Sequence, residues 1–185
     1  MVGNVGTLTL NYVYDSLLPT FVPVILADTK LKPITVLSFA ASEPIQSTNM
    51  SFVSLGCTFE VLPLSGQTAE ATLVGCTAQG SFSLIVTALD VAGNAGNLTI
   101  DYIYDSIGPT FISTLAGKSS IMANTSLSFT ANEPIQTGGI AFTAPGCTFA
   151  APTVTGKTAT VKLLSCTTQD RFLMTVEVED VEGLL

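Results

Sequence analysis

The sequence predicts an all-β protein made of two tandem copies of one small sandwich module. Short stretches of alternating apolar and polar residues are separated by Gly, Pro, Asn and Ser, and no stretch has helical periodicity with caps. Residues also repeat at a fixed spacing of 90 positions, as in Gly3 and Gly93 (93 − 3) and in Cys57 and Cys147 (147 − 57). A fixed period in a β-rich chain indicates a tandem array of one structural unit.

The first part of the repeat predicts four strands. They cover residues 20–27, 34–41, 50–55 and 57–62. In the second of them Leu37, Phe39 and Ala41 share one face, because side chains two positions apart point to the same side of a strand. The second copy keeps this apolar face 90 positions later.

The second part of the repeat predicts three more strands. They cover residues 68–75, 82–89 and 97–104. In the last strand Leu98, Ile100, Tyr102 and Tyr104 share a face, and the opposite face is mostly polar. This alternation indicates a sheet that is covered on one side. About seven short strands per repeat of about 90 residues predict tandem immunoglobulin-like β-sandwiches.

The four cysteines occupy the same two positions in each copy, as Cys57 with Cys76 and Cys147 with Cys166. We expect one disulfide bond per repeat, closing a loop of 19 residues (76 − 57) that stabilises the fold by roughly 3 kcal/mol. Metal binding is the competing interpretation, but the chain has no His and no CxxC pair. Disulfide bonds predict an extracellular or cell-surface location.

Composition argues against several classes of function. The net charge is −8 with only 6 Lys and Arg residues, which argues against nucleic acids and anionic membranes as partners, because both need basic surfaces. No apolar run approaches the roughly 18 residues of a membrane helix, so we expect no membrane insertion. The absence of His removes Ser-His and Cys-His nucleophile activation. We therefore expect no enzyme activity and no cofactor other than calcium.

Three turn motifs carry a family resemblance. Asp-Ser-x-x-Pro-Thr begins at Asp15 and again at Asp105, Glu43 begins Glu-Pro-Ile after the second strand, and Asp90 begins Asp-Val-Ala-Gly-Asn before the last strand. In this order the chain resembles the bacterial Ig-like (Big) repeats of large microbial surface proteins. The resemblance implies an extracellular, stalk-forming or adhesive role and names no ligand. The chain departs from antibody-type domains because it has no Trp and its cysteines are not on the second and sixth strands.

The phase of the repeat predicts incomplete ends. With boundaries at Asp15 and Asp105, residues 1–14 are the last strand of a preceding or neighbouring-chain repeat. Residues 15–104 are then a complete repeat, and residues 105–185 are a repeat without its last strand. Either the chain is cut from a longer array, or residues 6–14 complete the second repeat of another copy. A third possibility is that this strand folds back onto its own chain.

The hypothesis of strand donation predicts which side chains are donated and which partners receive them. The donated side chains would be Leu8, Leu10, Tyr12 and Tyr14, which share one face of the segment. The partners are then copies of the same chain joined head to tail, or neighbouring repeats of a longer chain. The sequence thus predicts a structural module of a surface assembly that forms a filament by strand complementation. An adhesin or carbohydrate-binding module is the alternative, which the lack of Trp disfavours.

Carboxylates at one end of each sandwich predict a calcium site. In an immunoglobulin-like fold the loops that carry them lie together, and Ca²⁺ prefers carboxylate oxygens. The candidate ligands are Asp15, Glu43 and Asp90 in the first copy and Asp105, Glu133 and Asp180 in the second. The alternative is that the Asp90 and Asp180 side chains cap turns while both glutamates are solvated.

Three sequons fit the pattern for N-glycosylation, at Asn49, Asn97 and Asn124. None of them recurs in the other copy, and a chain rich in Ser and Thr produces such triplets by chance. Because Asn97 falls on a predicted strand, Asn49 and Asn124 are the stronger candidates.

Overall fold

Antiparallel β-strands account for the regular secondary structure of the described part of the chain. A computed structural model describes residues 6–117 and 119–180. The chain divides into two units, one made of Met1–Thr29 with Pro33–Tyr104 and the other of Lys30–Lys32 with Asp105–Leu185. Within the described ranges, no helix has the length and apolarity needed to cross a membrane.

The strands up to Tyr104 form two four-stranded sheets. They are β1 (Phe21–Pro23), β2 (Lys30–Leu31), β3 (Val36–Ala41), β4 (Ser51–Val53), β5 (Cys57–Val61), β6 (Thr68–Cys76), β7 (Gly80–Leu89) and β8 (Ala95–Tyr104). One sheet has the order β1-β3-β6-β5 and the other the order β2-β8-β7-β4. Two antiparallel sheets in this arrangement make the immunoglobulin-like sandwich that the sequence predicts.

The core of this sandwich forms from the apolar faces that alternation identifies. Alternate residues of β3, β6, β7 and β8 are buried or half-buried, while most of the residues between them are more exposed. The fully or almost fully buried side chains are Leu37, Phe39, Ala69, Ala71, Leu73, Leu84, Val86, Ala88, Ile100 and Tyr102. The inward faces predicted for these four strands are therefore confirmed.

The strand predicted over residues 20–27 was wrong in its extent. β1 ends at Pro23, and the Val24 N–H is the last to bond to the first sheet, at Ser38 O (2.9 Å). The chain then crosses to the other sheet, where the Asp28 N–H donates to Asp101 O at 2.8 Å. Asp28 has a φ of 61°, a left-handed conformation that interrupts an extended strand.

The second unit contains the counterparts of most of these strands. They are β9 (Phe111–Ser113), β10 (Ser126–Ala131), β11 (Ile135–Thr143), β12 (Cys147–Phe149), β13 (Thr153–Thr155), β14 (Thr158–Cys166) and β15 (Thr175–Asp180). One sheet has the order β12-β14-β10-β9, with β13 also paired to β14, and the second sheet contains β11 and β15. Its core is built on Leu127, Phe129, Ala159, Val161, Leu163 and Val178.

The second sheet of this unit has an open edge. In the first unit β7 lies between β4 and β8, whereas its counterpart β15 pairs only with β11 in the part of the chain that the structure describes. The first five residues of β7, 80–84, pair with β8 alone. Their counterparts 170–174 form no strand, although the sequence predicts one there. The strand is shorter because no described segment supplies the missing ladder of hydrogen bonds.

Candidate assembly site

A groove runs along the open edge of β15 in the second unit. It has a volume of about 310 Å³ and is lined by Pro109, Phe111, Val176, Glu177 and Val178. Four of these five residues are apolar, and both valines come from the inward face of β15. An apolar groove beside an unpaired strand edge is suited to receive another strand, because it offers both side-chain pockets and free backbone groups.

The equivalent space in the first unit is filled by β8. Pro19, 90 positions before Pro109, is fully buried there, and Gly96 of β8 packs directly against it. Val86, the counterpart of Val176, is 0% exposed, whereas Val176 is only half-buried. The groove therefore corresponds to the position of a strand that the second unit lacks among its described residues. The sequence alone does not identify the residues that line this groove, although Pro109 lies 90 positions after Pro19.

The segment of residues 6–14, before the first strand, has the alternating side-chain pattern of β8 but does not form a strand. Residues 6–20 form no strand. Leu8, Leu10, Tyr12 and Tyr14 are 80%, 56%, 85% and 90% exposed. Their counterparts 90 positions later lie on the inward face of β8. Several exposed large apolar side chains on one segment mark a candidate interaction surface.

Tyr102, 90 positions after Tyr12, shows how a tyrosine at this position of the repeat is held in a complete sandwich. Its hydroxyl donates a hydrogen bond to Ile25 O at 2.9 Å, and its ring lies 6.0 Å from that of Phe82. Burial raises the pKa of Tyr102 to about 12. A tyrosine at this position thus anchors the last strand by packing and by one partly buried hydrogen bond.

Both expected disulfide bonds are formed. Cys57 bonds to Cys76 and Cys147 to Cys166, each across a sequence separation of 19 residues. Each pair lies directly opposite in neighbouring antiparallel strands, β5 with β6 and β12 with β14. Each bond therefore joins two neighbouring strands of one sheet within its own unit.

The acidic residues of the first copy come together as the sequence predicts. Carboxylate oxygens of Asp15, Glu43 and Asp90 lie within 4.8 Å of one another. Asp90 is only 1% exposed, and its Oδ1 accepts the N–H groups of Gly93 (2.6 Å) and Asn94 (2.8 Å). Its Oδ2 accepts the side-chain amide of Asn94 at 2.8 Å. Asp90 therefore caps the turn before β8, which is the alternative role that the sequence left open.

The turn cap makes stability depend on pH. Burial acts to raise the pKa of Asp90, but hydrogen bonds from Asn94, Gly93 and Ala92 lower it below the ordinary 3.8. Because the folded pKa lies below the unfolded one, this stabilisation is present above about pH 4 and is lost as the pH falls through the folded value. We expect Asp90→Asn to lower the urea midpoint at pH 7, and the difference from the unmodified protein to shrink near pH 3. An equal difference at both pH values would contradict this role.

Calcium binding at this cluster stays a prediction. Burial and the nearby charges of Asp15 and Asp90 raise the pKa of Glu43, and a divalent cation would offset this repulsion. We expect a higher midpoint of thermal unfolding in CaCl₂ than in EGTA, because calcium at 100 times its Kd would stabilise the folded state by about 2.7 kcal/mol. Glu43→Gln should reduce this rise. Equal midpoints in CaCl₂ and EGTA would contradict calcium binding.

The acidic set of the second copy is only partly described. Asp105 forms an ion pair with Lys30, with 3.3 Å between Oδ2 and Nζ. The side chain of Asp180 lies outside the described residues, so its place beside Asp105 and Glu133 stays a prediction.

The three sequon asparagines are exposed. Asn49 and Asn124 lie outside the strands, and Asn124 has a φ of 71°. Asn97 lies on the outward face of β8. Glycosylation of each stays a prediction.

Comparison with solved structures finds other β-domain proteins. Fibronectin(III)-like modules of Clostridium thermocellum CbhA match over 90% of this chain and 88% of theirs, with 17% identity and a TM-score of 0.37. The human desmocollin-1 ectodomain matches over 86% of this chain and 33% of its own length, with 15% identity and a TM-score of 0.29. Both likenesses are too distant to inform function. No protein-family model matches the chain, and no curated protein matches its sequence.

Proposed function

We propose that this protein is a structural module of an extracellular assembly whose copies join head to tail by strand complementation. Residues 6–14 of one copy insert along β15 of the next and complete its second sandwich. The observation that carries this proposal is the pairing of an open groove beside β15 with an exposed segment that has the pattern of β8. The proposed donor side chains are Leu8, Leu10, Tyr12 and Tyr14.

The energetics favour insertion. Burying the four donor side chains yields on the order of 6–12 kcal/mol before the costs of ordering and association. In the first unit, β8 pairs with β7 over ten consecutive residue pairs, from Gly80 with Tyr104 to Leu89 with Ala95. An inserted segment would regain a comparable ladder and order residues 170–174. Strand addition therefore satisfies backbone groups as well as apolar surface.

The assembly grows in one direction. The donor segment and the acceptor groove are different surfaces of the chain, so the contact is heterologous. Such contacts produce an open filament unless they close into a ring. The length of the assembly then depends on the number of copies, and its role is mechanical.

An extracellular location fits the chemistry of the chain. Two disulfide bonds stabilise small sandwich units, and such bonds persist in oxidising compartments. The turn motifs resemble bacterial Ig-like repeats of surface proteins, which supports the same location. In a longer chain the neighbouring repeat would fill the groove in the same way, and the assembly would then be a stalk.

Two defective variants test the proposal together. A chain without residues 1–14 keeps the groove but has no donor. Val176→Lys keeps the donor but places a charge in the groove. We expect each variant alone to be a monomer and an equimolar mixture to form only a one-to-one dimer, by sedimentation velocity. A mixture of two monomers, with assembly of the unmodified chain intact, would mean that a different surface joins the copies.

A further inference from the structure

Gly96 is required by close packing in the first unit. A Cβ built on this residue would lie 1.9 Å from the carbonyl oxygen of Pro19 and 2.8 Å from its carbonyl carbon. Real Cβ atoms do not approach backbone so closely, and Pro19 is fully buried, so neither side has room to move. The φ of Gly96 is not in the positive range. The position therefore requires glycine because of the space available and not because of its backbone conformation.

Gly6 lies 90 positions before Gly96, but nothing in its own chain calls for glycine. It is exposed, and a Cβ on it would meet no described atom within 4 Å. It also has no positive φ. Pro109, 90 positions after Pro19, lines the groove beside β15 and is not fully buried. The two halves of the Gly96–Pro19 contact thus recur in the chain on separate surfaces, one on the donor segment and one in the groove.

We infer that strand donation, on which this inference rests, occurs in one register, with Gly6 of the donor against Pro109 of the acceptor. Gly6 is then the residue that determines the register. By the pairing of β7 with β8, the opposed residues of donor and acceptor would be Gly6 with Val178, Leu8 with Val176, Leu10 with Met174, and Tyr12 with Phe172.

The alternation of apolar and polar residues in the donor segment excludes only registers shifted by an odd number of residues. A shift by one residue would turn Thr7, Thr9 and Asn11 into the core and expose the apolar face, which is strongly unfavourable. A shift by two residues keeps the apolar face inward, so alternation permits it. Such a shift places Asn4 or Leu8 against Pro109, and both residues have a Cβ. Gly6 therefore excludes the slips that the apolar pattern alone would allow.

A glycine substitution tests this contact in the full chain. We expect Gly6→Ala to weaken assembly on the order of 10–100-fold, because overpacking a tight contact costs about 1–3 kcal/mol. Its monomer should unfold at the same temperature as the unmodified chain, since the added methyl meets nothing in its own chain. Thr7→Ala, on the outward face, is the matched control and should assemble normally.

Intermolecular cross-linking tests the register directly. Thr7 would lie opposite Glu177, as Asn97 lies opposite Thr87 in the first unit. Combining Thr7→Cys with Glu177→Cys should give disulfide-linked multimers on a non-reducing gel, as the opposed Cys57 and Cys76 form a bond. Combining Thr9→Cys with Glu177→Cys should give few.

The outcomes separate the register from strand donation itself. Normal assembly of Gly6→Ala, or equal cross-linking through Thr7→Cys and Thr9→Cys, would overturn the register while strand donation stands. Assembly that survives removal of residues 1–14 would overturn strand donation and the register together.

Discussion

A chain without residues 1–14 is expected to be a monomer at every concentration at which the unmodified chain assembles. The deletion removes the row of exposed side chains at Leu8, Leu10, Tyr12 and Tyr14, which are the only donor that strand complementation provides. The loss should be complete because residues 6–14 are the segment whose alternating apolar residues match those of β8 at the spacing of 90 positions. The strands of the first sandwich begin at Phe21, so the remaining chain should keep its fold.

Two single substitutions distinguish a loss of strand donation from a general effect of added charge. Tyr12→Asp places a carboxylate where the buried Tyr102 lies in the first unit, and we expect it to abolish assembly. Asn11→Asp adds the same charge on the outward face, where the counterpart is already Asp101, and should assemble normally. Size-exclusion chromatography at matched concentrations distinguishes the two variants. Equal behaviour of both variants would contradict the assigned inward face.

Removing the Cys57–Cys76 bond by Cys57→Ala and Cys76→Ala is expected to destabilise the first unit by about 3 kcal/mol. The loop of 19 residues between them sets this value through the entropy of the unfolded chain. In a unit of this size the melting temperature should fall on the order of 12–24 °C. Urea unfolding followed by circular dichroism measures the loss. A loss well below 1 kcal/mol would contradict a stabilising role for the bond.

The bond between Cys147 and Cys166 provides the matched comparison. It closes a loop of the same length, so the same free energy should be lost when both cysteines become alanine. Because the second sandwich has an open edge, this loss should leave it unfolded unless a donor strand is bound. We therefore expect the measured loss of unfolding free energy to be smaller in the assembled state than in a chain that lacks residues 1–14.

The sequence predicts the sandwich because the alternation of apolar and polar residues follows the alternation of buried and exposed side chains along a strand. Leu84, Val86 and Ala88 are apolar at every second position, and all three are fully buried. The crossing of the first strand between sheets is not visible in this way. It depends on a left-handed residue at Asp28 and on hydrogen bonds to partners more than 70 positions away, at Asp101. Local propensity does not report such long-range pairing.

The donor and acceptor of the candidate site differ in how far they could be predicted. The donor side chains follow from alternation and the phase of the repeat. The contact between Gly96 and Pro19 depends on how two distant segments pack, so the roles proposed for Gly6 and Pro109 could be inferred only from the structure. The order of the loops in the fold was enough to predict that Asp15, Glu43 and Asp90 lie together. The hydrogen bonds by which Asp90 caps its turn could be identified only from the atomic positions.

Light scattering across a concentration series, under non-reducing conditions, decides whether copies of this chain join. Strand complementation predicts masses that rise with concentration through multiples of 19.2 kDa. A single species of 19.2 kDa at all concentrations would contradict assembly between copies.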